Sequence, residues 1–446
     1  MDDRLLAELI EWLAIPSVST GEGDAADLVR AATWVVDRLH GAGGQGEVVR
    51  IGQGNPLAVG ELRARDPDAS TVLIYGHYDV QGPGDLQAWR SPPFSPEVRA
   101  GRLYARGASD DKGNFLPLLH VACAMAAEDR LPVHVRVLVE GEEEVGGESA
   151  AAWLATDQIG ADAAIVFDSA MADPDTPAIT VGLRGMVQLH LQVRTADSNL
   201  HSGLYGGSVL NALHVLHRVL TEVLPGPDGR LRDELRAGVS APGREELASW
   251  TRLVDGERVL ADVGGRPVHP RAGAEYYERN GADASLDVNM IAGGEPRTIV
   301  PATAEATLSL RLAPGQDPER MRAVMEGLLR ARLPAGARLD ISATGATPAL
   351  FEVSEPALVL AAGALERACR SPPVFVRSGG SIPIVAELAA RGYPVIVSGF
   401  ALPDDALHGP NESFALQSLA LGHSAARELY AALARLPPRA GRPRRS

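Results

Sequence analysis

Four short runs of consecutive apolar residues, rich in β-branched side chains, punctuate the chain. They are Thr71-Val-Leu-Ile-Tyr75, His134-Val-Arg-Val-Leu-Val139, Ala163-Ala-Ile-Val-Phe167 and Tyr393-Pro-Val-Ile-Val397. Runs this short and this uniformly apolar suit strands covered on both faces. Helical patterns, such as 114–127 and 355–369, lie between them. Strand alternating with helix predicts an α/β fold with a mostly parallel, helix-covered sheet. Two amphipathic helices precede the first run. One spans 2–14 with Leu6, Ile10 and Leu13 on one face and stops at Ile15-Pro16; the other spans 24–41 and stops at Gly41-Ala-Gly-Gly44.

The middle of the chain has a different rhythm. Met186-Val-Gln-Leu-His-Leu-Gln-Val193 alternates apolar and polar residues, as a half-solvated strand does. A helix at about 209–223, strands at 285–291 and 304–312, a helix at 317–332 and a strand at 338–343 follow; 225–282 reads as an insertion rich in Gly, Pro and charge. The order β-α-β-β-α-β is the split βαβ pattern. The expected organisation is a larger α/β domain in two parts, 1–184 and 349–446, interrupted by an α+β domain at 185–348.

Charge and composition exclude several classes. Lys+Arg 42 against Asp+Glu 57 leaves a net charge of −15, the wrong sign for a nucleic-acid binder. The two cysteines, Cys123 and Cys369, make neither a disulfide framework nor a thiolate metal site, and fit a reducing compartment. The start is acidic and amphipathic, and no apolar stretch is long enough for a membrane span. A cytoplasmic protein with no membrane partner is therefore expected, its short basic tail (435–446) frayed. Lys112 is the single lysine among 42 basic residues, which suggests a site that needs a compact ammonium.

Each apolar run is followed by chemistry: Gly76-His77-Tyr78-Asp79 after the first, Glu140-Gly-Glu142-Glu143-Glu144 after the second, Asp168 after the third, and a loop to His408 after the fourth. A fifth group, Gly107-Ala-Ser-Asp110-Asp111-Lys112-Gly113, opens a helix. Singly each has a plain structural reading: a hydrogen-bonded His, a solvated acidic run, Asp110-Asp111 as a helix cap. In an open α/β sheet, however, all would meet outside the carboxyl ends of the strands. Mixed imidazole and carboxylate donors suit zinc or manganese, and a paired site needs a shared carboxylate.

The strings Tyr75-Gly-His-Tyr-Asp79-Val, Arg106-Gly-Ala-Ser-Asp110-Asp-Lys-Gly113, Glu140-Gly-Glu-Glu143-Glu144 and Leu200-His-Ser-Gly203 resemble the dinuclear zinc peptidases that include carnosinase, aminoacylase and carboxypeptidase G. That family inserts a lid or dimerisation domain into its catalytic domain. The resemblance implies that His77, Asp110 and Asp168 hold one metal and Asp110, Glu144 and His408 the other, with Asp110 bridging. It implies that Asp79 orients His77 and that Glu143 is the general base for a water bridging the two metals. It implies a cis Asp110–Asp111 peptide. It further implies that His201 crosses to the active site of a partner subunit and polarises the scissile carbonyl. Arg311 would grip the substrate's terminal carboxylate; Thr298, Gly380 and Ser381 would be further substrate contacts.

The Glu-Gly-x-Glu-Glu string, the Arg377-Ser-Gly-Gly-Ser-Ile-Pro383 loop and the long lid look closest to the dipeptidase, carnosinase-like branch. The implied activity is hydrolysis of dipeptides or short peptides with a free carboxyl end. The implied cofactors are two divalent ions per subunit, zinc first, with manganese or cobalt as alternatives; the implied assembly is a homodimer through the lid. The alternatives are an N-acyl or N-carbamoyl amino-acid amidohydrolase and a metal-stabilised binding protein without catalysis.

Overall fold

The computed structural model describes residues 2–21, 23–380 and 382–437 of the 446-residue chain. The basic tail from Pro438 onward lies outside the described residues. The chain divides into two compact units. One comprises the chain up to Thr180, Phe351–Phe375 and the chain from Ile384; the other comprises Val181–Leu350 and Val376–Pro383.

The first unit is built on a twisted sheet. Its strands lie side by side in the order Gln45–Val49, Leu57–Leu62, His134–Glu140, Thr71–His77, Ala163–Phe167, Val395–Ser398 and the first half of Ala178–Leu183. The four in the middle are mutually parallel. They are the four apolar runs, and every residue of these strands is buried. The remaining strands pair antiparallel at the sides. Register keeps the carboxyl ends level: His77 is opposite Glu140, Tyr75 opposite Val166, and Phe167 opposite Ser398. The helix Lys112–Ala127 crosses over between Thr71–His77 and His134–Glu140. Its first eleven residues are all buried, which explains its lack of an amphipathic stripe.

The second unit is an antiparallel sheet in the order Ser285–Gly293, Thr303–Leu312, Gly185–Arg194 and Arg338–Ala346. Val187, Leu189, Leu191, Val193, Leu308 and Leu310 face helices Ala212–Leu220 and Pro318–Ala331 in one apolar core. The insertion at 225–282 contains the short α-helices Asp233–Arg236, Arg244–Trp250 and Gly256–Asp262 and a π-helical turn, Glu278–Ala282.

One boundary departs from the sequence reading. Val376–Pro383, expected in the catalytic domain, belongs to the second unit. Arg377 explains it: its guanidinium is buried against the Glu246 carboxylate at 2.7 and 2.9 Å and donates to the Ser240 carbonyl at 2.6 Å. A buried charge is stable only beside such partners, so the segment follows them. No helix among the described residues is long and apolar enough to cross a membrane.

Candidate metal centre

Close approach of the Gly76 backbone to the side chains of Phe115 and Asp111 builds the site. A Cβ on Gly76 would lie 2.4 Å from a Phe115 ring carbon and 2.7 Å from Asp111 Oδ2, so only glycine lets the strand pass the start of the crossover helix. The next residue, His77, donates from Nδ1 to the Asp79 carbonyl at 3.0 Å. Its Nε2 therefore faces Asp110 Oδ1, also at 3.0 Å. The other oxygen of Asp110 lies 3.1 Å from His408 Nε2. Glu144 Oε2 is 3.4 Å from that same nitrogen. Two groups of donor atoms result, His77 with Asp110 and Asp168, and Asp110 with Glu144 and His408, each within 4.8 Å. Asp110 is common to both.

The donor set fits two borderline-hard divalent cations. Imidazole and carboxylate are the usual ligands, and bonds of about 2.0–2.1 Å in a tetrahedron place donors roughly 3.3 Å apart, as found here. The electrostatics point the same way. Burial, with the neighbouring negative charges of Asp110, Glu143 and Glu144, pushes Asp168 up to about 8. Burial and Asp110 push Glu144 up to about 7. Glu143 is raised by burial, Asp110 and Asp79. Opposing the cost of its own burial, Asp110 is held below the usual carboxylate range by hydrogen bonds from His408 and His77. So many buried carboxylates repel one another, and divalent cations offset that repulsion.

A pH dependence follows. Without metal, the folded chain keeps protons on Asp168 and Glu144 up to pH 7–8, whereas an unfolded carboxylate releases its proton near pH 4. Between those values the folded state binds more protons, so its stability falls as pH rises. The chelated protein is expected to melt at a lower temperature at pH 8 than at pH 6, and added zinc to abolish that difference. Differential scanning calorimetry at both pH values checks this.

The surrounding hydrogen bonds sort the acidic residues. Glu142 faces away: its carboxylate accepts from the amides of Asn55 and Ser149 at 2.6 and 3.2 Å. The buried Asp79 carboxylate accepts from the Glu143 amide at 3.3 Å, the Glu144 amide at 3.2 Å and the Ser19 hydroxyl at 2.6 Å. It lies 3.4 Å from His77 Nδ1, so the His77 proton goes to the Asp79 backbone and the side chain chiefly fixes the two glutamates. The Asp110–Asp111 peptide is cis. Asp111 precedes the helix but makes no capping bond; it accepts from the His77 amide at 3.2 Å. The cap reading of the pair is thereby corrected. Lys112 is fully buried and donates to the carbonyls of Trp12 and Ile15 at 3.1 and 3.0 Å.

One residue has no signal in the sequence. Glu412 is fully buried, with Arg106 Nη1 on its carboxylate at 2.7 Å. It accepts from the amides of Gly107, Ser109 and Asp110 at 3.0, 2.9 and 3.1 Å. This anion holds the turn that presents Asp110.

The other expected site residues lie in the second unit. His201 is exposed on Leu200–His201, with Nδ1 accepting from the Gly203 amide at 3.1 Å. The Thr298 carbonyl accepts from the Ser202 amide at 3.0 Å. Arg311 is half-buried on Thr303–Leu312, and its charge, after burial, helps lower Arg184 to about 10. Arg184, passed over in the sequence, donates to Ser285 Oγ at 3.0 Å and to the Gly379 carbonyl at 3.4 Å. The Gly380 amide donates to Ser378 Oγ at 3.1 Å. Ser381 lies outside the described residues.

Known proteins resemble this chain in sequence and in fold. A model of peptidase family M20/M25/M40 matches residues 73–432. The cysteinylglycine-S-conjugate dipeptidase of Corynebacterium striatum is 28% identical over 92% of this chain and 91% of that protein. Among solved structures, human carnosine dipeptidase 1 superposes with a TM-score of 0.74 at 25% identity, covering 97% of this chain and 96% of that one. An M20 family metallo-carboxypeptidase from Sulfolobus solfataricus gives a TM-score of 0.81 at 25% identity, covering 97% of this chain and all of the other.

Proposed function

Because the chain belongs to peptidase family M20/M25/M40, we propose that it hydrolyses the amide bond of dipeptides or short peptides bearing a free C-terminal carboxylate. The observation that carries this reading is the Asp110 carboxylate, with one oxygen on His77 and the other on His408. The dipeptidase named among the relatives supports the substrate class.

His77, Asp110 and Asp168 hold one ion and Asp110, Glu144 and His408 the other; zinc is the expected metal, with manganese or cobalt as substitutes. Bound there, the two cations supply Lewis-acid activation of water and of the scissile carbonyl. Glu143 is the base. Its backbone is pinned by Asp79 and its carboxyl group is raised above the usual carboxylate range by burial and the charges of Asp110 and Asp79; it takes a proton from the attacking water and returns it to the leaving amine. Arg311 receives the terminal carboxylate through its planar fork, with Thr298, Gly380 and Ser381 as further contacts. His201 acts on the scissile carbonyl in the neighbouring subunit of a homodimer formed by the lid. The enzyme is expected in the cytoplasm.

Zinc- or manganese-loaded protein assayed against parallel panels should cleave unmodified dipeptides and leave N-acyl and N-carbamoyl amino acids largely intact. Cleavage confined to the acylated panel would assign the deacylase reading instead. The shared histidine has its own test. Mixing His201→Ala with Glu143→Gln protomers should restore part of the activity, and absence of rescue after demonstrated subunit exchange removes His201 from that role.

A further inference from the structure

Three segments of the first unit converge at a second group of metal-ligating atoms, formed by residues other than those of the paired centre. Asp2 precedes helix Asp3–Leu13, His120 lies within Lys112–Ala127, and His423 lies within Leu416–Leu433. One carboxylate oxygen and one ring nitrogen from each histidine lie within 4.8 Å of one another.

The neighbours explain how these atoms are aimed. His120 Nδ1 is 2.7 Å from Glu8 Oε2. A proton on Nδ1 satisfies that carboxylate and leaves the lone pair on Nε2, which points at Asp2 Oδ2 3.3 Å away. This carboxylate–imidazole pairing is the usual way a histidine ligand is oriented. Glu8 already has Arg4 at 3.1 Å and Arg38 at 3.3 Å. Its charge is therefore matched without a positive imidazole. His423 Nε2 faces the same Asp2 oxygen at 4.0 Å, and the two rings, with centroids 5.7 Å apart, are inclined at 56°.

We infer that Asp2, His120 and His423 form a third divalent-metal site, for zinc or a neighbouring transition metal, with Glu8 orienting His120. Tetrahedral zinc places its donors about 3.3 Å apart. The His120–Asp2 pair has that spacing, and His423 Nε2, at 4.0 Å from the same oxygen, lies a little outside it. Two imidazoles and a carboxylate leave the fourth position for water on the exposed side of Asp2. Such an ion would clamp the first helix to two helices of the sheet domain. One of these, Lys112–Ala127, begins at the Asp110 turn, where Lys112 ties it to the end of that same first helix. The site would be a structural brace and rests on no reading of the reaction.

The test is a difference in metal content. Full-length wild type, His423→Gln and Asp2→Asn are loaded with zinc, passed over a chelating resin and measured by plasma mass spectrometry. Asn at position 2 keeps the cap that Asp2 provides through the Arg4 amide. Each variant is expected to hold one equivalent of zinc fewer than wild type and to lose part of the zinc-induced rise in melting temperature. Dipeptide turnover in excess metal should be unchanged. Equal zinc content in all three proteins overturns the site and leaves His120 as an imidazolium held between Glu8 and Asp2. Should His423→Gln fail to fold, the exposed Asp2→Asn decides. Because only the difference is read, the result stands however many ions the paired centre holds.

Discussion

Glu143→Gln is expected to keep its full complement of metal and to lose roughly 10²–10⁴-fold in dipeptide turnover. The amide has the volume of the acid and can still accept through its carbonyl. It cannot take a proton from the attacking water. Nothing in the metal groups depends on it, because the donors come from His77, Asp110, Asp168, Glu144 and His408. The adjacent substitution is the internal control. Glu144→Gln removes a carboxylate that faces His408 at 3.4 Å and should weaken metal binding itself. Metal content measured beside kcat separates the two. Turnover of Glu143→Gln within a few-fold of wild type would remove Glu143 from the role of base. A loss of metal in that variant would mean the two glutamates have exchanged duties.

The second large effect belongs to a residue that touches no substrate. Glu412→Ala is expected to destabilise the protein by about 3–5 kcal/mol, the usual result of removing one partner of a buried ion pair. Arg106 would keep a buried charge, left with the carbonyls of Gly82 and His408 at 3.3 and 3.1 Å and the face of Trp89 at 5.5 Å. The amides of Gly107, Ser109 and Asp110 would lose their acceptor. Against a typical total stability of about 5–15 kcal/mol, that loss is a large fraction. Urea unfolding of the metal-free protein measures it. Where the variant still folds, its zinc affinity should fall by about 10–100-fold, because the Asp110 turn is no longer anchored. A stability change below about 1 kcal/mol would show that the turn holds itself.

What the sequence revealed, and what it hid, follows from the range of each interaction. The runs at 71–75, 134–139 and 163–167 could be read as buried strands because burial on both faces writes itself locally as unbroken apolar residues. The Val395–Ser398 strand is shorter than its run, since Tyr393-Pro394 lies ahead of it. The antiparallel strands Gln45–Val49 and Leu57–Leu62 escaped notice. The first is half exposed and holds a glycine, so it lacks that signature. Four of the five donors in the metal groups could be anticipated because each comes at or beyond the end of a strand that names its own position, whereas Asp110 lies in the loop that opens the crossover helix. Glu412 could not: its partners lie more than 300 residues earlier in the chain, and nothing around Asn411-Glu412-Ser413 points to them. Asp79 illustrates the middle case. The resemblance marked it as the partner of His77, yet its hold on the amides of Glu143 and Glu144 depends on two loops meeting.

Burial of the single lysine has a consequence for handling the molecule. The folded protein presents no side-chain amine to solvent, because Lys112 is sealed beneath Trp12 with its ammonium on two carbonyls. Succinimidyl dyes, reductive methylation and amine-coupled supports therefore have no lysine to attack while the native structure persists. Any modification of that nitrogen reports opening between the first helix and the crossover helix, a ready-made chemical gauge of unfolding at the base of the metal centre.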